Sequence, residues 1–185
     1  RKHNMIIVTE KHAFFYTEWP SNFRRTKFTW KAFGEENKFF CTEQAFMWAK
    51  AKYFGDNDSA AKILEADDPM KCKNLGRLVK NYDDKQWNLV RYSFMHDCNY
   101  EKYIQDTELK EKLLDPAFDG KDFVEASPTD RNWGIGFCQV DAPDDESKWL
   151  GKNLLGKVIT QVRAEILHDG KPIDISDERI QFSYN

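Results

Sequence analysis

No stretch of this 185-residue chain stays apolar for long. The apolar runs, such as Met5-Ile6-Ile7-Val8, last only a few residues, against the roughly 20 that a bilayer span requires. Neither a membrane-spanning segment nor a secretory leader is legible, so membrane partners are excluded. Cysteine is sparse: Cys41, Cys72, Cys98 and Cys138 make no CxxC pair, no zinc spacing and no dense disulfide framework. That usage points to a reduced, cytoplasmic protein. The four histidines (His3, His12, His96 and His168) are scattered, so no Cys-His or Ser-His-Asp arrangement can be read. His96-Asp97-Cys98 is no better as a metal motif, because adjacent residues on a helix point in different directions. Repeats, low-complexity tracts and interdomain linkers are missing as well. One domain over residues 1–185 is therefore expected. The chain opens at Arg1 rather than Met, as a fragment or a processed chain would.

What the chain does have is rings. Aromatic residues make up 15% of it, with six tryptophans, beside 41% hydrophobic and 32% charged residues. A mean hydropathy of -0.75 is too polar for a membrane protein. The aromatic content is too high for a disordered one. So many indoles in a polar domain suit both a core and stacking on a flat ligand. Net charge is -3, which gives no overall pull toward nucleic acid, but the charge is uneven. Residues 1–31 hold seven basic against two acidic residues, while residues 115–148 hold nine acidic against three basic. Such asymmetry describes either one face for an anion and another that repels it, or ordinary solvated faces.

Periodicity and turn chemistry predict an α+β fold, mainly helical, with a small antiparallel β component. Strands are expected at Met5–Thr9 and His12–Tyr16, then a loop over Trp19–Phe23. Phe28–Phe33 and Lys38–Cys41 would form a hairpin about a turn at Gly34–Asn37. Thr42 is read as the N-cap of a helix over Glu43–Phe54 that stops at Gly55. Asp58 or Ser59 would start a short helix through Glu65, and Asp68-Pro69 a helix over Pro69–Lys80. Asp83 and Gln86 resemble a capping box ahead of Trp87, Val90, Phe94 and Cys98 at helical spacing. Thr107 would cap Glu108–Leu114. Strands at Phe123–Ala126 and Ile135–Val140, an acidic loop at Asp141–Lys148 and a helix over Leu154–His168 complete the pattern. Gly170 falls beyond that helix, and the tail Lys171–Asn185 is polar and loosely docked at most.

Four places carry candidate chemistry. Glu43 stands in the first turn of a helix, where the macrodipole favours an ionised carboxylate. Phe46, Met47 and Lys50 share its face. The competing description is an acidic residue at an exposed helix start. The segment Glu125-Ala-Ser-Pro-Thr-Asp-Arg-Asn-Trp-Gly-Ile-Gly136 concentrates Glu125, Ser127, Asp130, Arg131 and Trp133. Its glycines Gly134 and Gly136 would let the backbone approach a ligand, yet the pair lacks the third glycine and the strand–turn–helix setting of a dinucleotide motif. A tight polar turn is the alternative. Trp149 to Lys157 lies at a helix start suited to phosphate, with Asn153 as a cap or a ligand contact. Trp87 and Arg91, one helical turn apart, would either clamp a ring and a phosphate or form a core indole with a snorkelling arginine.

In order along the chain, these segments resemble the NADAR superfamily, the YbiA-like N-glycosidases. The resemblance rests on Ser21-Asn22-Phe23, on Thr42-Glu43-Gln44-Ala45-Phe46-Met47-Trp48-Ala49-Lys50 through Asp56, and on Ala66-Asp67-Asp68-Pro69. It continues through Lys73-Asn74-Leu75-Gly76-Arg77, Trp87 to Arg91, Glu125 to Gly136 and Trp149 to Gly156. It covers about residues 15–165. One departure is Gln44, where many relatives carry histidine after the glutamate, which removes any proton-transfer role for that histidine here.

The resemblance implies hydrolysis of a bond between ribose and nitrogen, without a cofactor or metal. The substrates it implies are an ADP-ribose-containing or ribosyl phosphate molecule, including modified DNA. Family branches act on phosphorylated riboflavin-synthesis intermediates or remove ADP-ribose from modified guanine. Cleavage builds positive charge on the sugar, which an ionised carboxylate stabilises. Glu43 is assigned that role, and Asp130 assistance to the departing nitrogen. Trp133 and Trp87 would stack; Arg91, Lys50 and Lys73 would neutralise phosphate; Ser21, Asn22 and Asn153 would orient sugar hydroxyls. Phe23, Glu125, Ser127 and Gly134 complete the expected substrate-binding set. A non-catalytic ADP-ribose reader would use the same residues without turnover. A plain nucleic-acid-binding domain fits the negative net charge least.

Overall fold

The computed structural model describes residues 5–168. In chain order the elements are β1 (Ile7–Val8), β2 (His12–Phe15), β3 (Phe28–Ala32), β4 (Glu35–Phe39), α1 (Thr42–Tyr53), α2 (Asn57–Glu65) and α3 (Pro69–Arg77). There follow α4 (Asp84–Gln105), α5 (Thr107–Leu113), β5 (Asp122–Glu125) and α6 (Leu154–Leu167). The fold is α+β. None of the described helices is long and apolar enough to cross a membrane. The expected tail, Gly170 and the first basic residues Arg1 and Lys2 lie outside the described residues. Two compact units divide the rest: residues 5–21 with 108–168, and residues 22–107.

The first unit is built on a three-stranded sheet in the order β1-β2-β5. β1 pairs with β2 antiparallel, as expected, and β5 adds a parallel neighbour in the register His12↔Asp122 to Phe15↔Glu125. β2 is central and all four of its residues are buried, which is why it does not alternate. α6 covers β5 with Leu155, Val158, Ile159 and Val162. Close approach is set by Gly156, where a Cβ would collide with the Phe123 carbonyl and the Asn153 amide. The strand expected over Ile135–Val140 does not form. Ile135 makes single backbone bonds, its N–H to Glu125 and its carbonyl to Leu150 N–H. Gly136, at φ 78°, then turns the chain before a ladder can extend.

In the second unit α1 is the central element, with nine buried residues among its twelve. α2, α3, α4 and β4 pack around it. Its N-cap is Cys41, whose Sγ accepts the Gln44 N–H at 3.4 Å, and not Thr42, which is the first helical residue. The β3–β4 hairpin is tighter than expected: Ala32 pairs with Glu35, leaving only Phe33 and Gly34 in the turn. Both have positive φ (55° and 76°), the requirement of the two-residue turn that matches strand twist. Phe33 accepts it because its ring packs on Trp48 and Phe94. The aspartate caps are local and strong. Asp68 accepts from Lys71 N–H ahead of Pro69, and Asp83 from Gln86 N–H. Asp56, not Asp58 or Ser59, caps α2. The N–H of Lys80, with the hydroxyl and N–H of Ser59, holds its carboxyl at about 2.

Replacing Gly156 with Ala tests the α6–β5 contact. On propensity alone the change would favour the helix by about 1 kcal/mol. Here the new methyl meets the β5 backbone, which cannot yield as a side-chain tip would. A net destabilisation of about 1–3 kcal/mol is expected in urea unfolding.

Candidate functional site

The second unit holds Asn22, Phe23, Glu43, Lys50, Lys73, Trp87 and Arg91. Asn22 fastens the start of α1. Its carbonyl accepts the Glu43 N–H at 3.0 Å, and its side-chain oxygen accepts the Thr42 hydroxyl at 2.9 Å. The Asn22 amide is in turn held by Met95 Sδ, and Asn99 approaches the same oxygen. Glu43 therefore stands in the first turn of the helix on an anchored backbone and is only 9% exposed. It is not the exposed helix-start acid of the competing description. Lys50, two turns on, feels the Glu43 charge. Burial pushes its ammonium below the usual lysine value, Glu43 opposes that shift and Arg77 adds to it. Its Nζ donates to the Gly76 carbonyl at 2.9 Å and lies 4.6 Å from the Tyr82 ring. Lys73 sits over the Phe23 ring at 5.9 Å.

Trp87 is enclosed. It is stacked on Phe94, with Phe46, Tyr53 and Phe54 also against it, and is 5% exposed. Arg91 is buried beside it and does not snorkel outward. Gln44 has a definite structural use. Its oxygen accepts the Phe40 N–H at 2.9 Å and its amide donates to the Ile63 carbonyl at 3.0 Å. It ties the end of β4 to the end of α2. A carboxamide can both accept and donate at those points.

The first unit holds Ser21, Glu125, Ser127, Asp130, Trp133, Gly134 and Asn153. The Ser21 N–H donates to the Glu18 carbonyl. Asp130 Oδ1 accepts the N–H groups of Asn132 and Trp133 at 2.9 and 2.8 Å, and Ser127 Oγ accepts that of Asp130. The cluster of polar residues is thus a folded turn with a half-buried Trp133 at its end. Gly134 packs where a Cβ would meet Ser127 and the carbonyls of Asp130 and Glu125. The N–H groups of Asn153, Leu154 and Leu155 donate to the carbonyls of Gly134, Asn132 and Trp133. The start of α6 is thereby filled by the protein's own backbone, which corrects the expectation of an open phosphate site there. Asn153 is also not a side-chain cap. From a left-handed backbone (φ 54°) its amide bridges the Phe123 carbonyl and the Glu125 N–H of β5.

Three features escaped sequence reasoning. Glu18 is buried and accepts from Tyr16 N–H, Thr17 hydroxyl and the Gln139 amide. Lys102 is fully buried, its Nζ 3.5 Å from the Thr42 hydroxyl and 4.6 Å from the Tyr103 ring. A groove of about 550 Å³ runs beside the hairpin, rimmed by Lys27 and Lys38 over Phe39, Phe40 and Leu64. Arg25 covers the Phe40 ring at 5.1 Å. The basic composition of residues 24–27 was the one signal for the last; the other two depend on distant packing.

Among known proteins, residues 7–167 match the NADAR domain family. The chain is 35% identical over 174 residues to an N-glycosidase of Acanthamoeba polyphaga mimivirus, with 86% of this chain and 98% of that protein covered. It is 41% identical over 132 residues to protein irg-1 of Caenorhabditis elegans, covering 70% of this chain and 61% of the relative. A riboflavin biosynthesis protein of Vibrio vulnificus is 28% identical over 126 residues, which span 68% of this chain but 31% of that longer one. The NMR structure of the Escherichia coli protein YbiA shares the fold at a TM-score of 0.67 and 24% identity, over 91% of both chains.

Lys102 offers a pH test of the anchor beneath Thr42. Burial brings its ammonium from 10.5 down to about 8, against the opposing pull of Cys98, Cys41 and Asp106. Between those values the unfolded chain keeps a proton that the folded one has released, so this group's contribution to stability rises with pH. Below about 8 both states are charged and the burial cost is fully present. Lys102→Met should therefore be more stable than the parent at pH 7. Its advantage should shrink as pH climbs toward 10.5, read by urea unfolding of both proteins at matched pH.

Proposed function

Because the chain belongs to the NADAR domain family, we propose that it is a hydrolase of N-glycosidic bonds, with Glu43 as the carboxylate that meets the developing sugar cation. Glu43 itself carries this reading: an acid in the first turn of a buried helix, its backbone pinned by Asn22 and its charge felt by Lys50. As the ribose–nitrogen bond breaks, positive charge spreads over C1′ and the ring oxygen. A carboxylate already in place stabilises that charge without reorganising, or orients the attacking water. The sugar-hydroxyl role of Asn22 rests on the resemblance, its side chain being engaged with Thr42 and Met95, while Lys50 and Lys73 supply cations for phosphate. The roles given to Asp130, Trp133, Ser127 and Asn153 rest on the resemblance. In Asp130, one carboxylate oxygen already shapes the turn. The buried free thiols Cys41, Cys72 and Cys98 accord with a reducing, cytoplasmic setting.

For substrate, ADP-ribose on guanine in DNA is favoured over a free nucleotide. Arg24, Arg25 and Lys27 follow Asn22-Phe23 directly, and the Lys27–Lys38 groove with its phenylalanine floor joins cations to aromatic surface. That combination suits single-stranded nucleic acid. The second reading, a phosphorylated riboflavin intermediate, draws on the Vibrio vulnificus relative. A substrate of that kind carries one phosphate and needs fewer cations.

Incubation with ADP-ribosylated guanine DNA, NAD and riboflavin-pathway phosphates, followed by chromatography for released base or amine, separates these readings. Turnover of none of them would leave the non-catalytic reader. Glu43→Gln should lose on the order of 10²-fold or more in kcat while substrate binding persists; near-normal turnover would remove Glu43 from the role.

Substrate choice has its own test. Activity on modified DNA should fall steeply between low and physiological salt, whereas that on a free nucleotide should hardly respond. Arg24→Glu with Arg25→Glu should impair the DNA reaction selectively. Equal activity of that double variant on DNA and on free nucleotide would move the riboflavin reading ahead.

A further inference from the structure

We propose that His12, Asp122 and Glu146 form a binding site for a divalent transition-metal cation, zinc foremost, in the unit that contains β2 and β5. The register of the parallel pair sets His12 directly beside Asp122, so the two side chains leave the same face of the sheet. A single 3-10 turn at Glu146–Lys148 brings the third group in. One ligand atom from each of the three lies within 4.8 Å of the others. Tetrahedral zinc with bonds of 2.0–2.2 Å needs donors about 3.3 Å apart. The widest of the three separations must narrow to reach that spacing, and the Glu146 side chain, 59% exposed, has room to adjust.

The imidazole is held as a metal ligand needs to be. His12 is 1% exposed, with the rings of Phe14 and Trp149 at 5.4 and 5.1 Å. Its Nδ1 faces Asp144 Oδ1 at 2.8 Å, and that carboxylate also accepts the Thr9 hydroxyl at 2.6 Å. A carboxylate on one ring nitrogen fixes the orientation of the imidazole and aims the other nitrogen outward. That other nitrogen, Nε2, stands 2.9 Å from Glu146 Oε1. A cation seated between Nε2 and the carboxylates would have its double charge balanced by Asp122 and Glu146, with water completing the shell. One imidazole with two carboxylates suits zinc better than calcium or magnesium, which take oxygen alone. The strongly acidic composition of residues 115–148 draws cations to this part of the chain. An open depression of about 600 Å³ lined by Lys11, Asp144, Asp145 and Glu146 borders the cluster at Glu146. None of the three residues is among those assigned to the glycosidic chemistry, and the proposal does not depend on that assignment.

Titration calorimetry of the EDTA-treated full chain with zinc chloride tests the site, in a Cys138→Ser background that removes the partly exposed thiol. One equivalent should bind. Asp122→Asn and Glu146→Gln should each weaken binding at least 10-fold, while Asp145→Asn should leave it unchanged. Zinc should raise the Tm of the parent and not of the two weakened variants, whose folding is checked by circular dichroism. Failure to bind zinc, binding indifferent to both substitutions, or equal affinity for magnesium would each overturn the proposal.

Discussion

A helix that begins Thr-Glu-Gln and is buried along nine of its twelve residues must satisfy three polar side chains away from water. That constraint organises the unit formed by residues 22–107. An unmatched polar group at this depth costs about 1–3 kcal/mol, and Thr42 and Gln44 have each drawn in partners from other elements. Thr42 takes Asn22 and Lys102; Gln44 takes the backbone of β4's end and α2's end. Glu43 lies between them, on a backbone that Asn22 holds. Positioning of the acid is thus a by-product of burying the helix start. It requires no element devoted to it.

The other unit solves a related problem at α6. Helix starts leave N–H groups without partners, and here carbonyls of residues 132–134 receive those of residues 153–155. The loop that looked like a ligand cradle is in large part an internal acceptor surface. Two glycines permit this closeness. A Cβ at Gly151 would strike the carbonyl of Gly134, and one at Gly134 the carbonyls of Glu125 and Asp130. Asn153 then welds the helix start to β5 through both ends of its amide. Density of polar residues in a short segment marks a demand for hydrogen bonds, and the fold itself is the first claimant.

The aromatic excess is shared in the same way. Trp48 and Trp87 are core residues that join hairpin and helices. Trp149 backs His12, and Trp133 alone of the predicted stacking residues remains half-buried rather than enclosed. The ring count suited both a core and stacking on a flat ligand; among the described residues many of the rings pack against each other, most of those pairs tilted or edge-on.

Features settled within one helical turn were readable from adjacent residues. Asp68 with Pro69, Asp83 with Gln86, and the apolar period of α6 each place an element within a few residues of its observed bounds. The ordered set of segments also carried the family, because a series of short motifs specifies a fold that no one of them does. Tertiary structure decided the rest, since the partners lie far apart in the chain. Cys41 displaced Thr42 as the cap because the Thr42 hydroxyl was drawn to Asn22. Ile135–Val140 was expected as a strand, and it begins beside the end of β5, but the turn at Gly136 ends the pairing after a single residue. Trp87 and Arg91 are neighbours on a helix in either reading; only the rings packed around Trp87 show it to be interior. His12, Asp122 and Glu146 have no common spacing at all, and a parallel strand pair plus one turn made them a cluster. Local chemistry is written in adjacent residues, whereas the choice of a distant partner depends on which surfaces the folded chain leaves facing one another.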